Sequence, residues 1–139
     1  MRLTSFTDYG LRMLMRMASA PDRPFSTADL AAEFGLSRNH LSKIMQRLAR
    51  AGIVETRRGG GGGAMLARPA ADFHLGEVIA VLEQDQPIVE CFGLGDTLCT
   101  INSECRLKAR LRTAERAFLA DLDRATLADI ALPAPLAAA

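Results

Sequence analysis

The sequence predicts a mainly α-helical protein with one small β-hairpin, and three stretches of the chain carry that prediction. Two segments with apolar stripes meet at Gly35, which indicates two helices joined by a tight turn. A basic, glycine-rich hairpin follows them. Further on, a long segment repeats apolar residues at helical spacing. Together they predict a winged helix-turn-helix domain followed by a long dimerisation helix.

Charge divides the chain into two halves. Residues 1–70 hold eleven Lys and Arg against five Asp and Glu, a net of +6, whereas residues 71–139 hold six against eleven, a net of −5. A basic front half favours an acidic partner such as nucleic acid, although plain surface charge would give the same number. The expected divisions are a winged-helix domain at 1–70, a linking helix and cysteine loop at 71–105, a dimerisation helix and short terminal helix at 106–131, and a flexible tail at 132–139.

Residues 7–19 are predicted to form the first helix. Thr7 is its expected cap, and Asp8 lies in the first turn, where a carboxylate suits the positive end of the helix dipole. Asp8 could also be a ligand presented at a helix start. The expected apolar face consists of Tyr9, Met13, Leu14, Met17 and Ala18.

Two further helices are predicted on either side of Gly35. Ser26 is expected to cap the helix over 26–34, and Ser37 is expected to cap the helix that runs to about residue 51. The second of these has apolar residues at an i, i+3, i+4, i+7 spacing, which predicts one buried face. That stripe consists of Leu41, Ile44, Met45 and Leu48.

The polar face of the same helix has side chains suited to reading double-stranded DNA. Arginine can fork onto guanine, asparagine onto adenine, and serine or lysine can bind phosphates. The first residues of a recognition helix lie deepest in the major groove, so Arg38, Asn39 and His40 are expected at base edges. Lys43 and Arg47 are expected at phosphates, and the alternative is a solvated helix face. The expected DNA contacts are Ser37, Arg38, Asn39, His40, Ser42, Lys43 and Arg47.

The next segment predicts a hairpin, with strands at 53–56 and 64–67. Glycine tolerates positive φ and lets the backbone come close to a partner, so this tip fits a wing laid on a phosphate backbone or in the minor groove. A phosphate-binding loop of the GxxxxGK[ST] type is excluded because no Lys-Ser/Thr pair follows. The expected contacts in the wing are Arg57, Arg58, Gly59, Gly60, Gly61, Gly62 and Gly63.

Two more helices are predicted in the acidic half, at 75–83 and from about residue 105 to 124. The longer one has a narrow apolar seam, which is typical of a helix packed on a partner helix. A homodimer is therefore expected, although this helix could simply cover its own domain. A short helix capped by Thr126 should follow. The seam consists of Leu107, Leu111, Ala114, Phe118 and Leu122.

All three cysteines of the chain lie between residues 91 and 105, in a stretch whose Gly, Asp and Asn favour an irregular loop. An odd count argues against a disulfide framework, and three gathered thiolates indicate a metal or an iron–sulfur cluster. A structural zinc site would need a fourth ligand, and no His lies between 91 and 139. The alternative is three small buried hydrophobes. The candidate ligands are Cys91, Cys99 and Cys105.

Other classes of protein lack support in the sequence. No apolar run has the length of a transmembrane helix, and the first residues contain no signal-peptide core, so a cytoplasmic location without membrane contact is expected. Cysteines that stay as thiols also fit a reducing cytoplasm. An enzyme is not expected, because no nucleophile–base pair or acid–base carboxylate pair stands out.

Several segments together resemble the small iron–sulfur winged-helix repressors that include IscR and NsrR. The resemblance reaches from near the N-terminus to about Ala131, and the NsrR branch, which senses nitric oxide, looks nearest. Its segments are LTSFTDYGLRML, SRNHLSKIMQRLARAGIVET, RGGGGGAML, ARPA, the three-cysteine loop, CRLK and FLADLDRATLADI.

The resemblance implies a cofactor and a mechanism. The NsrR branch binds a 4Fe–4S cluster through three cysteines and an Asp from the first helix of the other subunit, a position matched here by Asp8. In the IscR branch a His soon follows the third cysteine and a 2Fe–2S cluster results, but Lys108 occupies that neighbourhood here. The implied protein is a homodimeric repressor on a pseudo-palindromic operator, and nitric oxide lowers its operator affinity. The alternatives are an iron-responsive regulator of the same family and a clusterless regulator acting by protein–protein contact.

Overall fold

The computed structural model describes residues 2–93 and 99–135 of the chain. The described residues form five α-helices and one two-stranded antiparallel sheet. None of these helices has the length and apolar character needed to cross a membrane. The helices are α1 (Ser5–Ser19), α2 (Thr27–Phe34), α3 (Arg38–Arg50), α4 (Leu75–Glu83) and α5 (Arg106–Leu122), the strands are β1 (Val54–Arg57) and β2 (Gly63–Leu66), and short 3-10 turns span Ala70–Asp72 and Glu90–Phe92.

Helix α1 begins two residues earlier than the sequence predicts. Its N-cap is Thr4, not Thr7, and the Thr4 Oγ1 accepts a hydrogen bond from the Thr7 N–H at 3.2 Å. Both the N–H and the hydroxyl of Thr4 also donate to Oε1 of Glu83, at 2.8 Å each. Thr7 is fully buried, and Asp8 lies in the first turn as predicted. The start of α1 is therefore fixed to the end of α4, a contact that no local pattern reveals.

Helices α2 and α3 have the caps that the sequence predicts. Ser26 Oγ accepts from the Asp29 N–H at 3.0 Å, and Ser37 Oγ accepts from the His40 N–H at 3.4 Å. Between the helices, Gly35 has φ +65°, a left-handed conformation that strains residues with a Cβ. The predicted helix–turn–helix pair is confirmed.

One hydrophobic core joins α1, α3 and α4. All four residues of the predicted α3 stripe are buried, and Met13, Leu14 and Met17 of α1 pack against the same core. Burying each such side chain stabilises the fold by roughly 1.5–3 kcal/mol. Because Val78 and Leu82 of α4 belong to this cluster as well, the expected division at residue 70 is not a boundary of the core.

The hairpin pairs Val54 with Leu66 and Thr56 with Ala64, so β1 starts and β2 ends within one residue of the predicted strands. Phe25 extends the sheet as an isolated bridge: its N–H donates to the Ala64 carbonyl at 2.9 Å, and the Ala64 N–H donates to the Phe25 carbonyl at 2.8 Å. A Cβ on Gly63 would lie 2.8 Å from the Phe25 carbonyl. At least one glycine of the run is therefore required by packing within the hairpin.

Helix α5 is attached to the body of the protein at its C-terminal end. A Cβ on Gly76 of α4 would lie only 2.3 Å from the carbonyl oxygen of Leu119, so the two helices cross at backbone contact. Oδ1 of Asp123 accepts from the Glu77 N–H at 3.0 Å, and its carbonyl accepts from His74 Nδ1 at 2.8 Å. No residue of α5 itself is buried. The helix therefore projects from this crossing.

The predicted short helix after α5 is wrong. Residues 127–130 form turns. Thr126 is the donor in this turn, because both its N–H (2.7 Å) and its hydroxyl (3.0 Å) donate to Asp129 Oδ2. These two hydrogen bonds, with the backbone bond the larger cause, lower the pKa of Asp129 below its usual value.

The first residues of the expected flexible tail at 132–139 are hydrogen-bonded to α1. The Leu132 N–H donates to the Met15 carbonyl at 3.1 Å, and Arg16 Nη1 donates to the Pro133 carbonyl at 2.9 Å. These residues are therefore held along α1. Residues 136–139 lie outside the described part of the chain.

Gly76→Ala should lower the free energy of unfolding by about 1–3 kcal/mol, because the added methyl group meets a backbone carbonyl that cannot move aside without shifting α5. Urea unfolding followed by circular dichroism would measure the change. Gly60→Ala is the matched control, since a Cβ at Gly60 meets no atom within 4 Å. Equal stability of the two variants would contradict the close crossing of α4 and α5.

Candidate DNA-binding face and cysteine segment

The exposed side of α3 lies opposite its buried stripe. Arg38, Asn39 and Lys43 are exposed there, as the sequence predicts, and Ser37 is exposed at the cap. Ser42 is half-buried, and its hydroxyl donates to the Arg38 carbonyl at 2.9 Å. Three long polar side chains on the first two turns of the helix can therefore reach a partner together.

His40 is placed differently from its neighbours. Its ring is half-buried and lies against α1, edge-on to Tyr9 with the centroids 5.3 Å apart and tilted against Phe6 at 6.2 Å. The sequence pattern could not show this contact, because it joins residues more than thirty positions apart. His40 therefore links the first turn of α3 to α1.

Arg47 also points into the protein. Its Nη1 donates to the Leu82 carbonyl at 3.1 Å, its Nη2 forms an ion pair with Asp85, and its guanidinium carbon lies 4.5 Å from the centre of the Phe6 ring. Its side chain is 24 % exposed. The structure thus assigns the guanidinium of Arg47 to contacts within the chain.

The hairpin tip carries Arg57 and Arg58 on its surface, followed by the exposed Gly59, Gly60 and Gly61. Gly62 and Gly63 are half-buried. Gly59 and Gly61 have φ of +100° and +79°, so the tip needs glycine at these positions for its backbone shape. The result is an exposed, basic tip whose backbone is open to close approach.

The cysteine segment is described on both sides of residues 94–98, and that part of the predicted loop lies outside the described residues. Cys91 is half-buried in the 3-10 turn Glu90–Phe92, and Cys99 is exposed. Cys105 is the half-buried residue immediately before α5. Cys91 and Cys99 line one open depression of about 530 Å³, together with Pro87, Ile88, Val89 and Glu90.

Both described ends of this segment rest on α5. The guanidinium of Arg112 lies 4.6 Å from the centre of the Phe92 ring, next to Cys91. Lys108 Nζ donates to Asn102 Oδ1 at 2.8 Å. The first two turns of α5 therefore hold the flanks of both Cys91 and Cys105.

The donor types suit an iron–sulfur cluster, although the described residues do not assemble a complete site. Across 2–93 and 99–135, no three His, Cys, Asp or Glu side chains converge as a metal site would require. Two of the thiols nevertheless share a depression, and Cys105 lies immediately before the first turn of α5. Soft thiolates are the ligands that iron–sulfur clusters take. The cysteines therefore fit the group by their chemistry.

Asp8, the fourth candidate ligand, lies on the surface of α1. Its two carboxylate oxygens accept from Nε and Nη2 of Arg12 at 3.2 and 2.8 Å, and its side chain is 49 % exposed. A carboxylate in this position is open to contact from a second molecule. Such a contact would have to replace or share its bond to Arg12.

The predicted seam of α5 is uncovered over its first turns. Leu107 is 62 % exposed and Ala114 is exposed, whereas Leu111 and Phe118 are half-buried. Leu122 packs against the core near the crossing with α4. The N-terminal part of the seam is therefore left without a covering surface in the described chain.

Comparison with known proteins gives a family match over most of the chain. The family described as "Rrf2: Iron-dependent Transcriptional regulator" matches residues 3–132. Among solved structures, CymR (YrzC), the global cysteine regulator of B. subtilis, is 26% identical with a TM-score of 0.69, and the match covers 94% of this chain and 96% of that one. IscR of T. potens is 27% identical with a TM-score of 0.70, covering 94% and 85%.

A third structure, the oxidised form of Staphylococcus aureus CymR, is 26% identical with a TM-score of 0.70, and its match covers 97% of this chain and 99% of that one. Each of the three matches covers 94% or more of this chain. The five helices and the two-stranded wing thus form the fold of these regulators.

Asn39→Ala and Arg58→Ala should weaken DNA binding in different ways. Loss of a base contact at Asn39 should cost about 1–3 kcal/mol and relax base preference. Loss of a phosphate contact at Arg58 should weaken binding to all sequences and reduce the slope of log K against log salt by about one. Fluorescence anisotropy at several salt concentrations would separate the two effects.

Arg124→Ala is the control for the loss of one positive charge, because Arg124 lies beyond α5 and its side chain is 83 % exposed. It should leave the slope unchanged. An unchanged slope in Arg58→Ala as well would remove the hairpin from the DNA-binding face.

Proposed function

The chain belongs to the Rrf2 family of DNA-binding transcriptional regulators, and from that premise we propose that it is a repressor whose operator affinity is controlled by a 4Fe–4S cluster responsive to nitric oxide. The observation that carries the proposal is the placement of the cysteines. Cys91 and Cys99 share one depression, and Cys105 is the N-cap of α5, the helix that contacts Phe92 and Asn102 on either side of residues 94–98.

The DNA-binding half of the proposal rests on α3 and the hairpin. Arg38 and Asn39 project from the start of α3, where a recognition helix contacts base edges. Lys43 and the arginines of the hairpin tip provide positive charge for phosphates on either side. The net charge of +6 in residues 1–70 supports the same orientation towards DNA.

The sensing half rests on three thiols and one carboxylate. Cys91, Cys99 and Cys105 would hold the cluster, and Asp8 of the second subunit would complete the ligand set. When bound, a 4Fe–4S cluster would supply iron that reacts with nitric oxide. Asp8 suits the fourth place because a carboxylate is a harder and more weakly held iron ligand than a thiolate. A 2Fe–2S cluster with a ligand at residue 108 is disfavoured, since the Lys108 ammonium donates to Asn102.

A homodimer is part of this proposal. The N-terminal part of the α5 seam is exposed, and a second copy of α5 would cover it with matching apolar residues. Two-fold symmetry of the protein would then match a pseudo-palindromic operator. The same arrangement would let Asp8 of one subunit approach the cysteines of the other.

An iron-responsive regulator is the second candidate. The family description, "Iron-dependent Transcriptional regulator", favours it. It uses the same cysteines but responds to iron supply. The two candidates differ in one measurable respect, since only the first predicts that nitric oxide lowers the operator affinity of iron-loaded protein.

Replacing Cys91, Cys99 or Cys105 by Ala should abolish iron retention in protein purified without oxygen, because each removes one of three thiolates. Visible and Mössbauer spectra before and after nitric oxide would identify the cluster, and anisotropy on operator DNA would report affinity. Ser103→Ala, in the same segment, is the control and should keep its iron. Full iron content in any cysteine variant would remove that residue from the ligand set.

Asp8→Ala should keep much of its iron but respond less to nitric oxide, whereas Asp8→Cys should hold the cluster more tightly and react more slowly. Stopped-flow absorbance with nitric oxide would give the rates. Asp22→Ala, an exposed aspartate beyond α1, should behave like the wild type. Identical rates in all four proteins would reduce Asp8 to a helix-start carboxylate that suits the dipole.

A further inference from the structure

Three helices meet at the side chain of Arg47, and we call Arg47, Phe6, Leu82 and Asp85 the Arg47 junction. The residue belongs to α3, whereas its ring contact, Phe6, belongs to α1. Its two polar contacts lie at the end of α4: the Leu82 carbonyl at 3.1 Å and the carboxylate of Asp85. The recognition helix is thereby tied through one side chain to both of its neighbouring helices.

The guanidinium is committed to this junction. One terminal nitrogen donates to a backbone carbonyl, the other pairs with a carboxylate, and one face covers an aromatic ring. Arginine is suited to such a place, because its planar fork can serve two acceptors while its face stacks on a ring. A phosphate contact by Arg47 would require breaking these bonds.

The junction is close in sequence to both candidate ligand segments. Phe6 lies two residues before Asp8 on the same helix, and Asp85 lies six residues before Cys91. The segment between Asp85 and Cys91 also supplies Pro87, Ile88 and Val89 to the depression beside the thiols. A change at either ligand segment therefore acts within a few residues of a contact made by Arg47.

The start of α1 and the end of α4 are also bound to each other. Thr4 donates twice to Glu83 Oε1, at 2.8 Å in each case, one residue after Leu82. These two bonds couple the start of α1 to the end of α4. A displacement of either one moves the acceptors or the ring around Arg47, and α3 follows because its side chain is held on three sides.

We infer that Arg47 is a positioning residue that passes the state of the cysteine segment to the recognition helix. This inference rests on the proposed function, because it assumes that the cysteines control operator affinity. Asp85 takes part as the ion-pair partner of Arg47, and this pair connects the chain that leads to Cys91 with α3. Neither residue touches DNA in this account.

The test uses Arg47→Gln, Asp85→Asn and the double variant in the full-length protein, with Lys43→Gln as a comparison. Each protein is prepared with ferrous iron and sulfide without oxygen, and again after iron removal by a chelator. The probe is a palindromic duplex selected by the wild type from a random library. The readouts are the ratio of operator Kd values between the two forms, the salt slope of the iron-free form and its urea unfolding.

The ratio of the two operator Kd values should be about five-fold or more smaller in each single variant than in the wild type. The double variant should fall no further than either single one, since both changes break the same contact. The salt slope should stay constant in all three, whereas Lys43→Gln should lower the slope by about one and keep the ratio. Arg47→Lys keeps the ion pair and should restore part of the ratio. In urea, the two single changes should be non-additive in the iron-free protein.

Two results would overturn the inference while leaving the proposed function intact. One is an unchanged ratio in both single variants, which would make the junction merely structural. The other is a lower salt slope in Arg47→Gln with no effect of Asp85→Asn, which would make Arg47 a phosphate contact. If wild-type protein that holds its iron bound the operator with the same Kd as the iron-free form, the proposed function would be overturned as well. If Arg47→Gln does not fold, Asp85→Asn decides alone, because that side chain is 58 % exposed.

Discussion

The position of the cysteine segment depends on the backbone contact between α4 and α5 at Gly76. Helix α5 has 17 residues and is roughly 25 Å long at 1.5 Å per residue. It is fixed at its C-terminal end, where Asp123 binds the first turn of α4, and it carries Cys105 at its other end. The angle of this crossing therefore determines where Cys105 lies relative to α3, because no residue of α5 is buried to provide a second anchor.

Features encoded by neighbouring residues could be predicted from the sequence. The caps at Ser26 and Ser37, the left-handed turn at Gly35 and the buried stripe of α3 all depend on residues within one or two turns. The bond from Thr4 to Glu83 joins residues 79 positions apart and could not be predicted, whereas the cap that Thr4 forms with the Thr7 N–H is local and was assigned to Thr7 instead. The short helix after α5 was mispredicted because Thr126 and Asp129 satisfy each other in a turn as readily as in a helix.

The sequence predicted which types of residue make up the candidate site better than it predicted how their side chains are arranged. Exposure of Arg38 and Asn39 followed from their place opposite the apolar stripe, and the glycine run indicated an exposed tip. Arg47 shares that polar face in any helical projection, yet a long flexible side chain can turn back to the protein, and only its distant partners decide that it does. A ligand from a second subunit is likewise invisible to any periodicity within one chain.

The packing of α1 has a mechanical consequence. Its buried face contains two methionines, Met13 and Met17, and the facing stripe of α3 contains a third, Met45, beside branched residues. Methionine is unbranched and adapts its three torsions to irregular gaps, so an interface that contains it can slide slightly with little loss of contact. Branched side chains resist such a slide because they sit in few rotamers. The core thus has adaptable methionine contacts on both helices among stiffer branched ones, which lets α1 and α3 shift slightly against each other while each keeps its shape.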